Sequence, residues 1–133
     1  MASTQISWVL AAHEPESLSY FYGSLLGQTP RLGLSIHHWL VTLAEGVDLQ
    51  IYRPSSKRPF PPRGRALALC LRRQASQDPL PSLEQDLKQA LSLGATVINP
   101  PRVEFFGAEV WIADPEGNAV LLMVPASREG VQA

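Results

Sequence analysis

Residues 54–64, PSSKRPFPPRG, constrain the chain more than any other stretch, because four prolines remove backbone donors and exclude a helix interior or a central strand. They fall near the middle of 133 residues and leave two halves that read alike. In the first, residues 5–12 (QISWVLAA) are β-branched and aromatic, the mark of a short strand. A helix follows. Pro15 suits a first helical position, Glu14 and Glu16 suit the positive end of the dipole, and Leu18, Phe21, Tyr22, Leu25 and Leu26 repeat at helical spacing up to a stop at Gly27. Residues 31–36, 38–44 and 47–53 then read as strands, with Glu45-Gly46 as a tight turn.

The second half repeats that order. Residues 65–71 alternate as a strand, Ser82 and Gln85 form a capping box, and Leu83, Leu87, Ala90 and Leu91 make one helical stripe that ends at Gly94. Residues 96–105 are extended, broken at Pro100-Pro101. The chain then folds back on itself over residues 108–125 through Asp114-Pro115-Glu116-Gly117-Asn118, where Pro115 pre-sets a turn, Gly117 can take positive φ, and the Asp114 and Asn118 side chains can bond nearby backbone. The apolar exit arm, residues 119–124, makes this hairpin central. Leu26-Gly27-Gln28-Thr29 and Leu93-Gly94-Ala95-Thr96 mark matching helix ends, so two βαβββ modules, an α+β class, describe the chain most simply. Their limits are 5–53 and 65–125 in a single domain, with a frayed tail at 126–133.

Composition removes several function classes. Eleven Lys plus Arg against twelve Asp plus Glu give a net charge of -1, which offers no footprint for nucleic acid or for an anionic membrane. One cysteine, Cys70, excludes an internal disulfide, and no long apolar run or signal segment appears, so the expected setting is the cytoplasm.

The segment Glu14-Pro15-Glu16-Ser17-Leu18-Ser19-Tyr20-Phe21-Tyr22 with Leu25-Leu26-Gly27, followed much later by Asp114-Pro115-Glu116-Gly117-Asn118 and an apolar strand, resembles the vicinal oxygen chelate superfamily. That group includes glyoxalase I, extradiol dioxygenases and bleomycin-resistance proteins. The resemblance implies paired βαβββ modules whose sheets curve around a shared cup, commonly in a homodimer. It also implies four metal-ligand positions, which fall on Ser7, Gln50, Ala66 and Leu121. Ala66 and Leu121 have no lone pair to give, and Ser7 and Gln50 are neutral, weak donors, so no metal and no other cofactor is expected.

Counting by twos from those positions places Ser7, Val9, Asp48, Gln50, Tyr52, Ala66, Ala68, Cys70, Leu121 and Met123 on one face. A two-residue turn at Glu45-Gly46 sets Val41 opposite Gln50 and Trp39 opposite Tyr52, and a five-residue turn sets Trp111 opposite Leu121. The ligand-binding candidates are therefore Ser7, Trp39, Asp48, Gln50, Tyr52, Cys70, Trp111 and Leu121, lining a partly apolar cup for a small flat molecule. The three histidines, His13, His37 and His38, read as surface or rim residues. Two other readings stand beside this one. One is a metal-dependent glyoxalase- or dioxygenase-type enzyme with displaced ligands from His38, Asp48 or Gln50. The other is an interaction module with a filled cup, docking through the proline-rich crossing and its cations Lys57, Arg58, Arg63 and Arg65.

Overall fold

The computed structural model describes residues 6–62 and 67–127. The chain divides into two compact units, Met1–Arg63 and Gly64–Ala133, at a boundary inside the proline-rich stretch.

The first unit runs β1 (Ile6–Ala11), α1 (Pro15–Leu26), β2 (Arg31–Leu32), β3 (His38–Ala44) and β4 (Val47–Tyr52). Pro15 takes the first helical position and Gly27 closes the helix in the left-handed conformation, φ 69°. Leu18, Phe21, Tyr22 and Leu25 form its buried stripe. They pack on one face of the sheet, where Val41, Leu49 and Ile51 are also buried. The strand order is β1-β4-β3-β2, with β1 parallel to β4 and the other pairs antiparallel. Strand β2 is shorter than the 31–36 expected, because the chain turns back at once. The Gly33 amide donates to the His38 carbonyl at 2.7 Å, and the His38 amide donates to the Ser35 carbonyl at 3.0 Å.

The second unit runs β5 (Leu69–Arg72), α2 (Pro79–Ser92), β6 (Thr96–Val97), β7 (Arg102–Glu104), β8 (Gly107–Ala113) and β9 (Ala119–Pro125). The order β5-β9-β8-β6, with β7 also on β8, repeats the path of the first unit, again with the first strand parallel to the last. Neither path closes on itself. The α+β class and the repeated module both hold, and the extended stretch 96–105 becomes two short strands on one neighbour.

Helix α2 starts before the expected Ser82 cap. Pro79 and Pro81 both lie in its first turn, where a missing amide costs nothing. Ser82 instead bonds Ser76 through its hydroxyl at 2.9 Å. The chain end expected to fray stays paired as far as the described residues go: the Ala126 amide donates to Phe106 and the Ser127 amide to Ser76, both at 2.8 Å. The start of the strand expected at 65–71 lies partly outside the described residues.

The β8–β9 hairpin is central to its sheet, since β9 also carries β5 and β8 also carries β6 and β7. Its turn is organised by one side chain. Buried Asp114 accepts the Glu116 amide at 2.8 Å and the Asn118 amide at 2.9 Å on Oδ1, and Asn118 Nδ2 at 2.8 Å on Oδ2. Replacing it by Ala strands two backbone donors. Asp114→Ala should cost about 2–4 kcal/mol by chemical denaturation, given the usual worth of bonds to a charged acceptor, and Asp114→Asn should lose less.

Candidate functional site

In each unit one sheet face is covered by the unit's own helix and the other is not. Side chains alternate between them along each strand. On the helix-free face of the first unit stand Ser7 and Val9 from β1, Asp48, Gln50 and Tyr52 from β4, and His38, Leu40 and Thr42 from β3, as the strand register requires. Arg31 joins them opposite Leu40.

The register between β3 and β4 differs from the one expected from a plain two-residue turn. Ala44 faces Val47 but Thr42 faces Asp48, so an irregularity lies between Thr42 and Ala44 and one extra residue sits in β3. The remainder of β3 is displaced by one position. Leu40, not Val41, lies opposite Gln50, and His38, not Trp39, lies opposite Tyr52. A one-residue slip exchanges the two faces of a strand. Trp39 is therefore corrected out of the candidate site: it stands on the helix side, its ring 6.1 Å from Tyr20 and its Nε1 donating to the Ile36 carbonyl at 2.9 Å.

His38 takes its place opposite Tyr52; the sequence offers it only as a rim residue or, in the metal-dependent reading, as a displaced ligand, and not among the ligand-binding candidates. Its Nδ1 accepts the Leu34 amide at 2.8 Å and its Nε2 meets Gln50 Oε1 at 3.0 Å. Gln50 Nε2 in turn donates to Ser7 Oγ at 2.8 Å. The ring fills the space beside Gly33 that a side chain would need: a Cβ there would collide with the imidazole, 2.7 Å from Cε1. A second group lies on the same face: Arg31 Nη1 donates to Thr42 Oγ1 at 2.7 Å, Thr42 Oγ1 to Asp48 Oδ1 at 3.3 Å, and Arg31 Nη2 pairs with Asp48 Oδ2 at 3.2 Å. Both charged partners are well exposed, so this pair adds little stability, but it does offset the Asp48 carboxylate.

In the second unit Cys70, Leu121 and Trp111 share the helix-free face, with Cys70 opposite Leu121 and Trp111 opposite Leu121 on the other side, as expected. Trp111, Pro100, Pro101 and Arg102 border a depression of about 430 Å³. Arg102 is held to Glu104 at 2.7 Å, and that bond, with the charges of Glu104 and Glu109, keeps its guanidinium above its ordinary pKa. Cys70 is a poor nucleophile: partial burial and then the Glu109 carboxylate push its thiol up, against a smaller pull from Arg72.

The donors do not fit a divalent cation. Among the described residues no three His, Cys, Asp or Glu side chains gather closely enough to hold a metal. Of the four positions implied by the resemblance, Ser7 and Gln50 are bonded to each other, Leu121 has no donor, and Ala66 lies outside the described residues. No helix among the described residues is long and apolar enough to cross a membrane.

Comparison with known proteins agrees with this architecture. A family model described as a glyoxalase-like domain matches residues 7–123. No curated protein sequence matches the chain. Among solved structures, hypothetical protein SA1046 from S. aureus is 12% identical with a TM-score of 0.73 over 93% of this chain and 95% of that one. A glyoxalase/bleomycin resistance protein from Albidiferax ferrireducens T118 is 17% identical, TM-score 0.69, over 89% and 95%. A lactoylglutathione lyase from Agrobacterium tumefaciens is 19% identical, TM-score 0.58, over 92% and 94%. At these identities the likeness speaks to the fold alone. The family match spans most of the chain, and its order of elements is the one found in both units: the chain belongs to the glyoxalase-like domain family, in line with the vicinal oxygen chelate resemblance of its sequence.

Proposed function

We propose that this glyoxalase-like chain binds a small, flat, partly apolar molecule on the helix-free face of its first unit, without a metal. The observation that carries this reading is the run of hydrogen bonds from the Leu34 amide through His38 and Gln50 to Ser7. Fixed polar groups beside apolar side chains are what a small-molecule site consists of, and here Val9, Leu40 and Tyr52 flank the run. Tyr52 supplies a ring for stacking and Gln50 and Ser7 supply direction. Cys70, Trp111 and Leu121 remain candidates on the second unit, where the depression beside Trp111 supports an aromatic contact.

A ligand site on a metal-free face and a metal-dependent enzyme with displaced ligands part company in a simple measurement. Elemental analysis of the purified protein should find no stoichiometric metal, and its unfolding temperature should not move with EDTA or with added Mn, Fe, Ni or Zn. Stoichiometric metal with a metal-dependent rise would give the lead to the enzyme reading.

Ring placement is the second test. Gly33→Ala forces the His38 ring from its position and should weaken binding of a flat bicyclic probe such as 1-indanone by about five- to tenfold, the scale of one or two hydrogen bonds. Trp39→Phe, on the other face, should leave that affinity within about twofold. A homodimer is carried as part of the same reading, and sedimentation should then return twice the 14.6 kDa chain mass.

A further inference from the structure

The hydrogen bonds on the helix-free face of the first unit have a direction, and one backbone group sets it. An amide N–H can only donate, so the Leu34 amide, 2.8 Å from His38 Nδ1, requires a lone pair on that nitrogen. The ring proton of a neutral imidazole then sits on Nε2. Nε2 lies 3.0 Å from a Gln50 side-chain atom, which must be the carbonyl oxygen to accept it. The Gln50 amide nitrogen is therefore the atom that faces Ser7, 2.8 Å away, and Ser7 Oγ is an acceptor in that bond. Each step leaves one choice for the next.

From this we infer that Ser7 is a specificity-determining residue that offers its O–H outward, and that the site selects a ligand with a hydrogen-bond acceptor, such as a carbonyl oxygen, over one with a donor at the same place. Its hydroxyl proton has no acceptor among the hydrogen bonds of the described residues. The residue is exposed at the start of β1, so the proton is available to a ligand. The other polar group of the face does not compete. Arg31, Thr42 and Asp48 bond one another, and the guanidinium beside Asp48 offsets its charge, which weakens the pull of that carboxylate on a cationic ligand.

This inference rests on the binding site proposed above, and three neutral bicyclic probes of nearly equal shape separate the two: 1-indanone carries an acceptor, indole a donor, and indene neither. Calorimetric titration of the full-length protein should rank 1-indanone above indene by about five- to tenfold, with indole no better than indene. Ser7→Ala should bring the ratio of 1-indanone to indene affinity down to about one, the ratio being the readout. Gln50→Glu is the stronger test. A carboxylate there accepts from both His38 and Ser7, turns the serine proton inward and presents its lone pairs, so the order should invert in favour of indole. Equal affinities for the three probes in the parent protein, or an order that survives Gln50→Glu, would overturn the inference and leave the site standing. Failure of all three to bind would remove the site and the inference together.

Discussion

One extra residue in β3, between Thr42 and Ala44, decides which side chains of that strand meet which neighbours. Strand side chains alternate with a period of two, so a displacement of a single position moves an entire set from one face to the other. With the irregularity in place, Val41 points to the helix and is fully buried, and Trp39 stands on the same side beside Tyr20. His38, Leu40 and Thr42 go to the other face, where each finds a partner from β4 or β2. The imidazole reaches Gln50 only because of that displacement. Length, more than the identity of any one side chain, is what β3 has to keep.

The two polar groups on that face differ in what they do. The Arg31–Asp48 pair is solvent-exposed and worth about 0–1 kcal/mol, so its effect is to neutralise a carboxylate, not to hold the sheet. The bonds through His38 and Gln50 are also unremarkable singly, at about 1 kcal/mol each. Their effect lies in order: a backbone amide at one end fixes the ring, the ring fixes the amide side chain, and the absence of a side chain at Gly33 gives the imidazole its place.

Much of this fold was legible in the sequence because it is written in local chemistry. Pro15, Gly27, the Glu45-Gly46 turn and the Asp114-to-Asn118 turn act over a few residues, and the paired modules follow from their order. Trp111 opposite Leu121 followed from a turn of known length with no irregularity. What could not be read is what depends on partners far along the chain. Nothing in HWLVTLA marks where an extra residue will be accommodated, so the β3–β4 register came out one position away and with it Trp39 and His38 exchanged roles. The helix start expected at Ser82 came out three residues after the observed one at Pro79, because prolines at 79 and 81 suit a helix's first turn as readily as a loop. Gly33 gave no signal of its own; its importance is the space taken by a ring five residues later.

The pairing of first strand with last carries a consequence for how the chain acquires its structure. Ile6 is matched with Val47, and Leu69 with Val120, so in each unit the parallel pair joins the two ends of the module across everything between them. Such contacts are closed only after the intervening chain has lost its freedom, and they reward that loss last. Hairpins β3–β4 and β8–β9 can form early from neighbouring residues, whereas β1 and β5 must wait for them. On the ribosome, the first strand of each unit is made first and seated last, with its exposed edge unpartnered in the meantime.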